Sequence, residues 1–174
     1  INDFAAAKNF ALAQAKGKWI IFLDAGEYFA PHTEAKVRVI IDRYDPDYQV
    51  AGLICRLINI DVDNNNMFSG GSAQIRIFRN LSFLRYKGKV HEYLHNANQQ
   101  KKMRIVTELE IYHTGYSSGV VQKKLRRNLE ILQQEASEGE EKPELALYFM
   151  DCYYGLGEYE KAIDFAHKAI DSGK

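Results

Sequence analysis

The sequence predicts an α/β fold, a sheet covered by helices, followed by an all-α segment. Three observations lead there. An alanine-rich amphipathic stretch at 2–15 runs directly into the apolar run 19–23. Two further β-branched runs follow at 48–60 and 103–112. From Ser117 onward the apolar residues recur at helical spacing and no strand pattern returns.

The elements follow in order. Residues 2–15 read as a helix with Asn2 or Asp3 as N-cap and Phe4, Ala7, Ala11 and Ala15 on one face. Gly17 ends it, and the continuous apolar run of 18–24 suits a strand buried on both faces, as in parallel sheets. Helix then buried strand is the second half of a βαβ unit, whose first strand is expected upstream of Ile1. Residues 31–44 read as a helix with Pro31 in its first turn and Pro46 beyond its end. Residues 48–60 form a strand, 61–66 a polar turn, and Gly70-Gly71 a second breaker. Strands resume at 74–78 and 103–112, while 85–98 is too mixed to assign. Val121, Leu125, Leu129, Leu132 and Ala136 mark one face of a helix. After the polar linker 137–142, helices at 143–154 and 158–170 are joined by Gly155-Leu156-Gly157. The domain boundary therefore falls between 1–116 and 117–174.

Composition narrows the function classes. At 174 residues the chain buries roughly 70% of its unfolded surface and needs no staple. Lysine plus arginine is 23 and aspartate plus glutamate is 23, a balance that argues against nucleic acid and against a polybasic membrane surface. The longest apolar run, 19–23, is far short of the ~20 residues of a membrane span, and no signal peptide is visible. Cys55 and Cys152 lack metal spacing and read as small hydrophobes in a cytoplasmic protein. The chain opens without methionine and already in helical pattern, so it is expected to be an internal piece of a longer protein. Apolar surface left where further strands belong would then favour self-association.

In the helical tail, Gly157, Tyr159, Ala162, Ala166 and Ala169 resemble the second helix of a tetratricopeptide repeat. Ala146, Phe149 and Tyr153 stand where the first helix carries its packing residues, and Met150 departs from the small residue expected there. The match covers about one repeat of ~34 residues; the alternative is a plain helical hairpin with alanine at its crossing. The repeat speaks of protein or peptide contacts.

Asp24-Ala25-Gly26-Glu27 leaves the sheet at a strand end, where α/β proteins bind ligands, or is a solvated turn. Five segments, 3–12, 17–27, 76–79, 86–92 and 112–116, follow one another in an order that resembles the family 2 glycosyltransferases. The similarity is to bacterial members whose catalytic domain of GT-A type, a Rossmann-like sheet, precedes tetratricopeptide repeats. On that resemblance residues 1–116 are the C-terminal part of a GT-A domain.

The resemblance implies inverting sugar transfer from a nucleotide-diphosphate donor, a UDP-sugar first of all, assisted by Mg²⁺ or Mn²⁺. The acceptor would be a saccharide, peptide or protein. Asp24 matches the first acid of the family's Asp-x-Asp motif and would face donor and metal. Gly26 stands where the second acid belongs, and Glu27 is the neighbouring candidate for that ligand. His113 matches the late histidine that completes the metal site, or is a packing residue at a strand end. His91 and Glu92 match the acceptor-side segment, with Glu92 as the base that takes the acceptor's proton; alternatively Glu92 pairs with Arg85, Lys87 or Lys89. Lys8 and Asn9 match positions turned toward the donor, Lys8 balancing diphosphate charge or standing as a solvated helix lysine. Arg76 and Arg79 lie on the strand resumed at 74 and read as phosphate contacts or, more plainly, as surface charge.

The resemblance further leads us to expect that these 174 residues alone do not turn over, the base-binding strands lying upstream. A competing reading is a non-catalytic scaffold with a degenerate transferase domain. A metal hydrolase using His91, Glu92 and His113 ranks below both, because no paired-histidine helix spacing is present.

Overall fold

A computed structural model describes residues 3–89, 91–115, 117–137 and 143–172. Asn2 as an alternative cap, Val90 and Tyr116 of the family segments, and the linker at 138–142 lie outside the described residues. The fold is α/β: a mixed parallel and antiparallel sheet with helical cover, followed by three helices.

Helix α1 spans Phe4–Gln14, and Asp3 caps it by accepting the Ala6 N–H at 2.8 Å. Its buried face is Ala5, Lys8 and Leu12, not the Phe4, Ala7, Ala11 and Ala15 face that the alanine spacing suggested. Alanine is a poor guide because it is indifferent to burial; Leu12 and the ion-paired Lys8 mark the stripe that turns inward, while Phe10 faces out.

Strand β1 (Trp19–Ile21) is short and pairs antiparallel with β4 (Met67–Arg79). It stands at one end of the five-stranded order β1-β4-β3-β7-β2 among the described residues, with Ile21 exposed. The expected parallel strand buried on both faces is thus corrected. The parallel pair lies deeper, between β3 (Val50–Asp61) and β7 (Lys102–His113). β2 (Glu27–Phe29) pairs antiparallel with β7 at the other end.

Two further expectations are revised. Residues 31–35 form turns, and helix α2 begins only at Lys36 and runs to Tyr44. His32 has a φ of 66°, a left-handed value that helix cannot continue through. Gly70 and Gly71 do not break the chain but lie within the long strand β4 (Met67–Arg79). A Cβ at residue 71 would stand 2.9 Å from the Leu57 carbonyl oxygen, so glycine there permits close approach of β3 and β4. The region left unassigned holds a small antiparallel pair, β5 (Leu84–Lys87) and β6 (Tyr93–Asn96).

Packing follows from these placements. Ile40 and Ile41 of α2 close over Val50, Leu53, Leu57, Ile77, Val106 and Ile111. A second cluster joins α1 to Phe78, Leu84, Tyr86 and Leu94. Arg79 is buried and structural: it donates to the carbonyls of Val50, Tyr44, Asp45 and Asp47, and its guanidinium lies 4.5 Å from the Trp19 ring centroid. It closes the chain after α2 and is neither surface charge nor turned to phosphate.

Helix α3 (Ser118–Ser137) begins where the domain boundary was expected. Asp63 accepts the Gly119 N–H at 2.8 Å, and Ser117 accepts from Val62 and donates to Ile60, so the α3 start is stapled to the β3–β4 connection. α4 (Pro143–Gly155) and α5 (Tyr159–Asp171) pack on α3 through Ile131, Leu132, Phe149, Cys152, Tyr153 and Ala162. Ala162 and Ala169 are buried, as small residues at a close helix crossing should be. Among the described residues no helix is long and apolar enough to cross a membrane.

Both cysteines are free and buried, and burial pushes each thiol up to about 11. The thiolate is the reactive form. A thiol-specific reagent at mildly alkaline pH is therefore expected to leave the native protein unlabelled and to modify two thiols after denaturation. Rapid native labelling would contradict the packing of these two residues.

Candidate active site

The site is assembled from the ends of several elements. β1 ends near Asp24, and the turn 24–27 is closed by the Glu27 N–H donating to the Asp24 carbonyl at 2.9 Å. Gly26 holds this turn with a φ of 85°, and a Cβ there would stand 2.9 Å from Thr114 Oγ1. Glycine at this position is therefore demanded by the backbone. α1 supplies Lys8, β4 supplies Arg76, and the loop between β5 and β6 supplies His91 and Glu92.

Lys8 is buried and bridges two carboxylates. Its Nζ lies 2.7 Å from Asp24 Oδ1 and 2.5 Å from Glu92 Oε1, over the rings of Phe22 and Tyr86 at 5.3 and 4.9 Å. The solvated-lysine alternative is set aside, and Glu92 has Lys8 as a partner. Arg76 makes a fork with Glu27: Nε to Oε2 at 2.7 Å and Nη2 to Oε1 at 2.6 Å, with Nη2 also donating to Asp24 Oδ2 at 3.0 Å. Burial opposes the Arg76 charge, but the hydrogen bonds and charge of Glu27 outweigh it and hold the guanidinium above its ordinary value. Asn9 sits one residue along and clamps the Tyr86 backbone, donating to its carbonyl and accepting its N–H, both at 2.9 Å.

His113 is buried on β7 opposite Glu27, with Nδ1 2.9 Å from Asn59 Oδ1 on β3. Burial first, then Lys124, pushes its imidazole below the usual value, so it is neutral near pH 7. His91 stacks on Tyr148 of α4, ring centroids 4.1 Å apart, and has a left-handed φ of 56°. Desolvation lowers its pKa as well. Strained backbone of this kind in a non-glycine residue gathers at functional sites.

Lys8, Asp24, Glu27, Arg76, His91, Glu92 and His113 line one cleft of about 940 Å³ between the strand ends and α3, whereas Asn9, expected to face the donor, is outside that lining with its amide on the Tyr86 backbone. α3 presents Lys123, Lys124 and Arg127 to it. Neither those three cations nor the burial of Arg76 was anticipated. The signal for the former was available: 123, 124 and 127 share a helix face at i, i+1, i+4. Tyr86, behind Lys8, keeps a buried hydroxyl with no hydrogen-bond partner among the described residues, and burial raises its pKa. A lone buried hydroxyl signals room for an ordered water or a ligand atom.

The donor set for Mg²⁺ or Mn²⁺ is thin. Among the described residues no group of three or more histidine, cysteine, aspartate or glutamate side chains is placed to hold a metal ion. Both oxygens of Asp24 and both of Glu27 already face Lys8 or Arg76, and Gly26 offers no ligand atom. The expected set of Asp24, His113 and Glu27 does not fit a protein-built metal site.

The cleft lies at strand ends of a mixed α/β sheet, the place where α/β proteins commonly take small-molecule ligands. No family model matches the chain. It is 28% identical over 178 residues to the SPbeta prophage-derived glycosyltransferase SunS of Bacillus subtilis (strain 168). The glycosyltransferase SunS of Bacillus phage SPbeta matches with the same identity. Each alignment covers 99% of this chain and 40% of the relative, so the chain spans about two fifths of the length of these curated relatives.

Proposed function

We propose that this chain forms the acceptor-facing and diphosphate-facing part of a glycosyltransferase site of family 2, GT-A type, acting with inversion on a nucleotide-diphosphate sugar. The observation that carries the reading is Lys8 bridging Asp24 and Glu92 inside the cleft. A glycosyltransferase relative aligned over 99% of the chain supports it.

In this reading the acceptor enters beside His91 and Glu92. Glu92 takes the proton as the acceptor's nucleophilic atom bonds to the anomeric carbon. The bond from that carbon to the diphosphate oxygen breaks on the opposite side, and the nucleoside diphosphate leaves with the electron pair. Lys8 and Arg76 hold Asp24 and Glu27 in place beside the leaving group. The α4–α5 hairpin stands as one tetratricopeptide-like repeat, a surface for protein or peptide. Mg²⁺ or Mn²⁺ enters no step, because the side chains present do not build its site.

Calorimetric titration of UDP and GDP tests the reading. Saturable binding is expected, and Lys8→Met, titrated at a temperature where the variant is still folded, should weaken it. Absence of binding by either nucleotide, with or without Mn²⁺, would overturn it. That result would favour the non-catalytic scaffold, to which Gly26 and the Arg76–Glu27 fork already lend some weight.

A further inference from the structure

The mismatch between a diphosphate ligand and a poor metal donor set points to another source of positive charge, and this step rests on the function proposed above. Five cations line the cleft: Lys8 and Arg76 on the sheet side, and Lys123, Lys124 and Arg127 on α3. Three carboxylates face them, Asp24, Glu27 and Glu92. His91 and His113 add no charge near pH 7, since burial lowers both. Among the described residues the lining of the cleft therefore carries an excess of two positive charges, the complement of the two negative charges of a nucleotide-diphosphate sugar.

The distribution matters as much as the total. The sheet-side cations are spent on the acids: Lys8 on Asp24 and Glu92, Arg76 on Glu27 and Asp24. The other three cations that line the cleft stand across it on α3. There, burial and the neighbouring Arg127 both disfavour the Lys124 charge, while the acids across the cleft favour it. A half-buried ammonium beside a like charge gains most from an incoming dianion.

We propose that the cleft neutralises the donor diphosphate with the side-chain cations of α3, Lys124 foremost, in the place a divalent ion would otherwise take. Lys123 and Arg127, one and three residues away on the same helix, flank the phosphates and make binding strongly dependent on salt.

The test is UDP titrated into the protein in EDTA and again with Mg²⁺ or Mn²⁺, with uridine as a probe lacking phosphate. Affinity for UDP is expected to be the same within about 3-fold in EDTA and in metal, well inside the tenfold that 1.4 kcal/mol represents. Lys124→Met should weaken UDP by about 10–100-fold, the value of a charged hydrogen bond, and leave uridine unchanged. Lys124→Arg should restore most of it. UDP binding that appears only with metal, or that ignores Lys124→Met, would overturn this inference and leave the proposed function standing. No UDP binding under any condition would remove both.

Discussion

In a longer protein that carries this chain and transfers sugar, Glu92→Gln is expected to lower the transfer by about 10²–10⁴-fold, the usual contribution of a positioned general base. The amide keeps the size of the side chain and can still accept from Lys8, whose Nζ lies 2.5 Å from Glu92 Oε1. It cannot take a proton. UDP release from a panel of UDP-sugars, compared with UDP affinity by calorimetry, separates the two roles of this carboxylate. If Glu92 is the base, the rate collapses while UDP affinity changes only a few-fold. If it is merely the counter-ion of Lys8, the rate is retained and the assignment fails.

Arg76→Leu is expected to destabilise the fold by about 3–5 kcal/mol, the cost of removing one partner from a buried ion pair. The Glu27 side chain is only 2% exposed and has both oxygens on the Arg76 fork. Without the guanidinium a carboxylate is stranded beside Asp24. For a chain of this size the melting temperature should fall by roughly 6–20 °C. The double variant Arg76→Leu/Glu27→Leu should recover most of that loss, because the stranded charge goes with its partner. Equal melts for single and double variants would mean that the fork contributes little and that packing alone sets the turn.

Periodicity carried α3, α4 and α5, and the runs of β-branched residues carried β3 and β7, because in these elements the local pattern and the buried face coincide. It misled where the determinant was a backbone angle. Pro31 looks like a helix start until His32 turns left-handed. Gly70-Gly71 looks like a break, yet it serves strand contact. Lys8, Asp24, Glu27, His91, Glu92 and His113 were singled out one by one from motif order, and all line the one cleft. What no local pattern could disclose was which charges are buried together. Arg76 meets Glu27 across 49 positions and Asp24 across 52, and single-sequence spacing carries no information over such distances.

Helix α3 belongs to two neighbourhoods at once. One face offers Lys123, Lys124 and Arg127 to the cleft; further along, Ile131 and Leu132 are locked into the core with α4 and α5. A rigid rod anchored in this way behaves as a shared beam. Any change that re-seats the α4–α5 hairpin rotates the cationic side with it, and the His91–Tyr148 stack ties the cleft rim to the same hairpin. The helical tail and the cleft therefore cannot drift apart freely in evolution. Grafting a foreign hairpin onto α3 would alter ligand affinity without a single substitution among the residues that line the cleft.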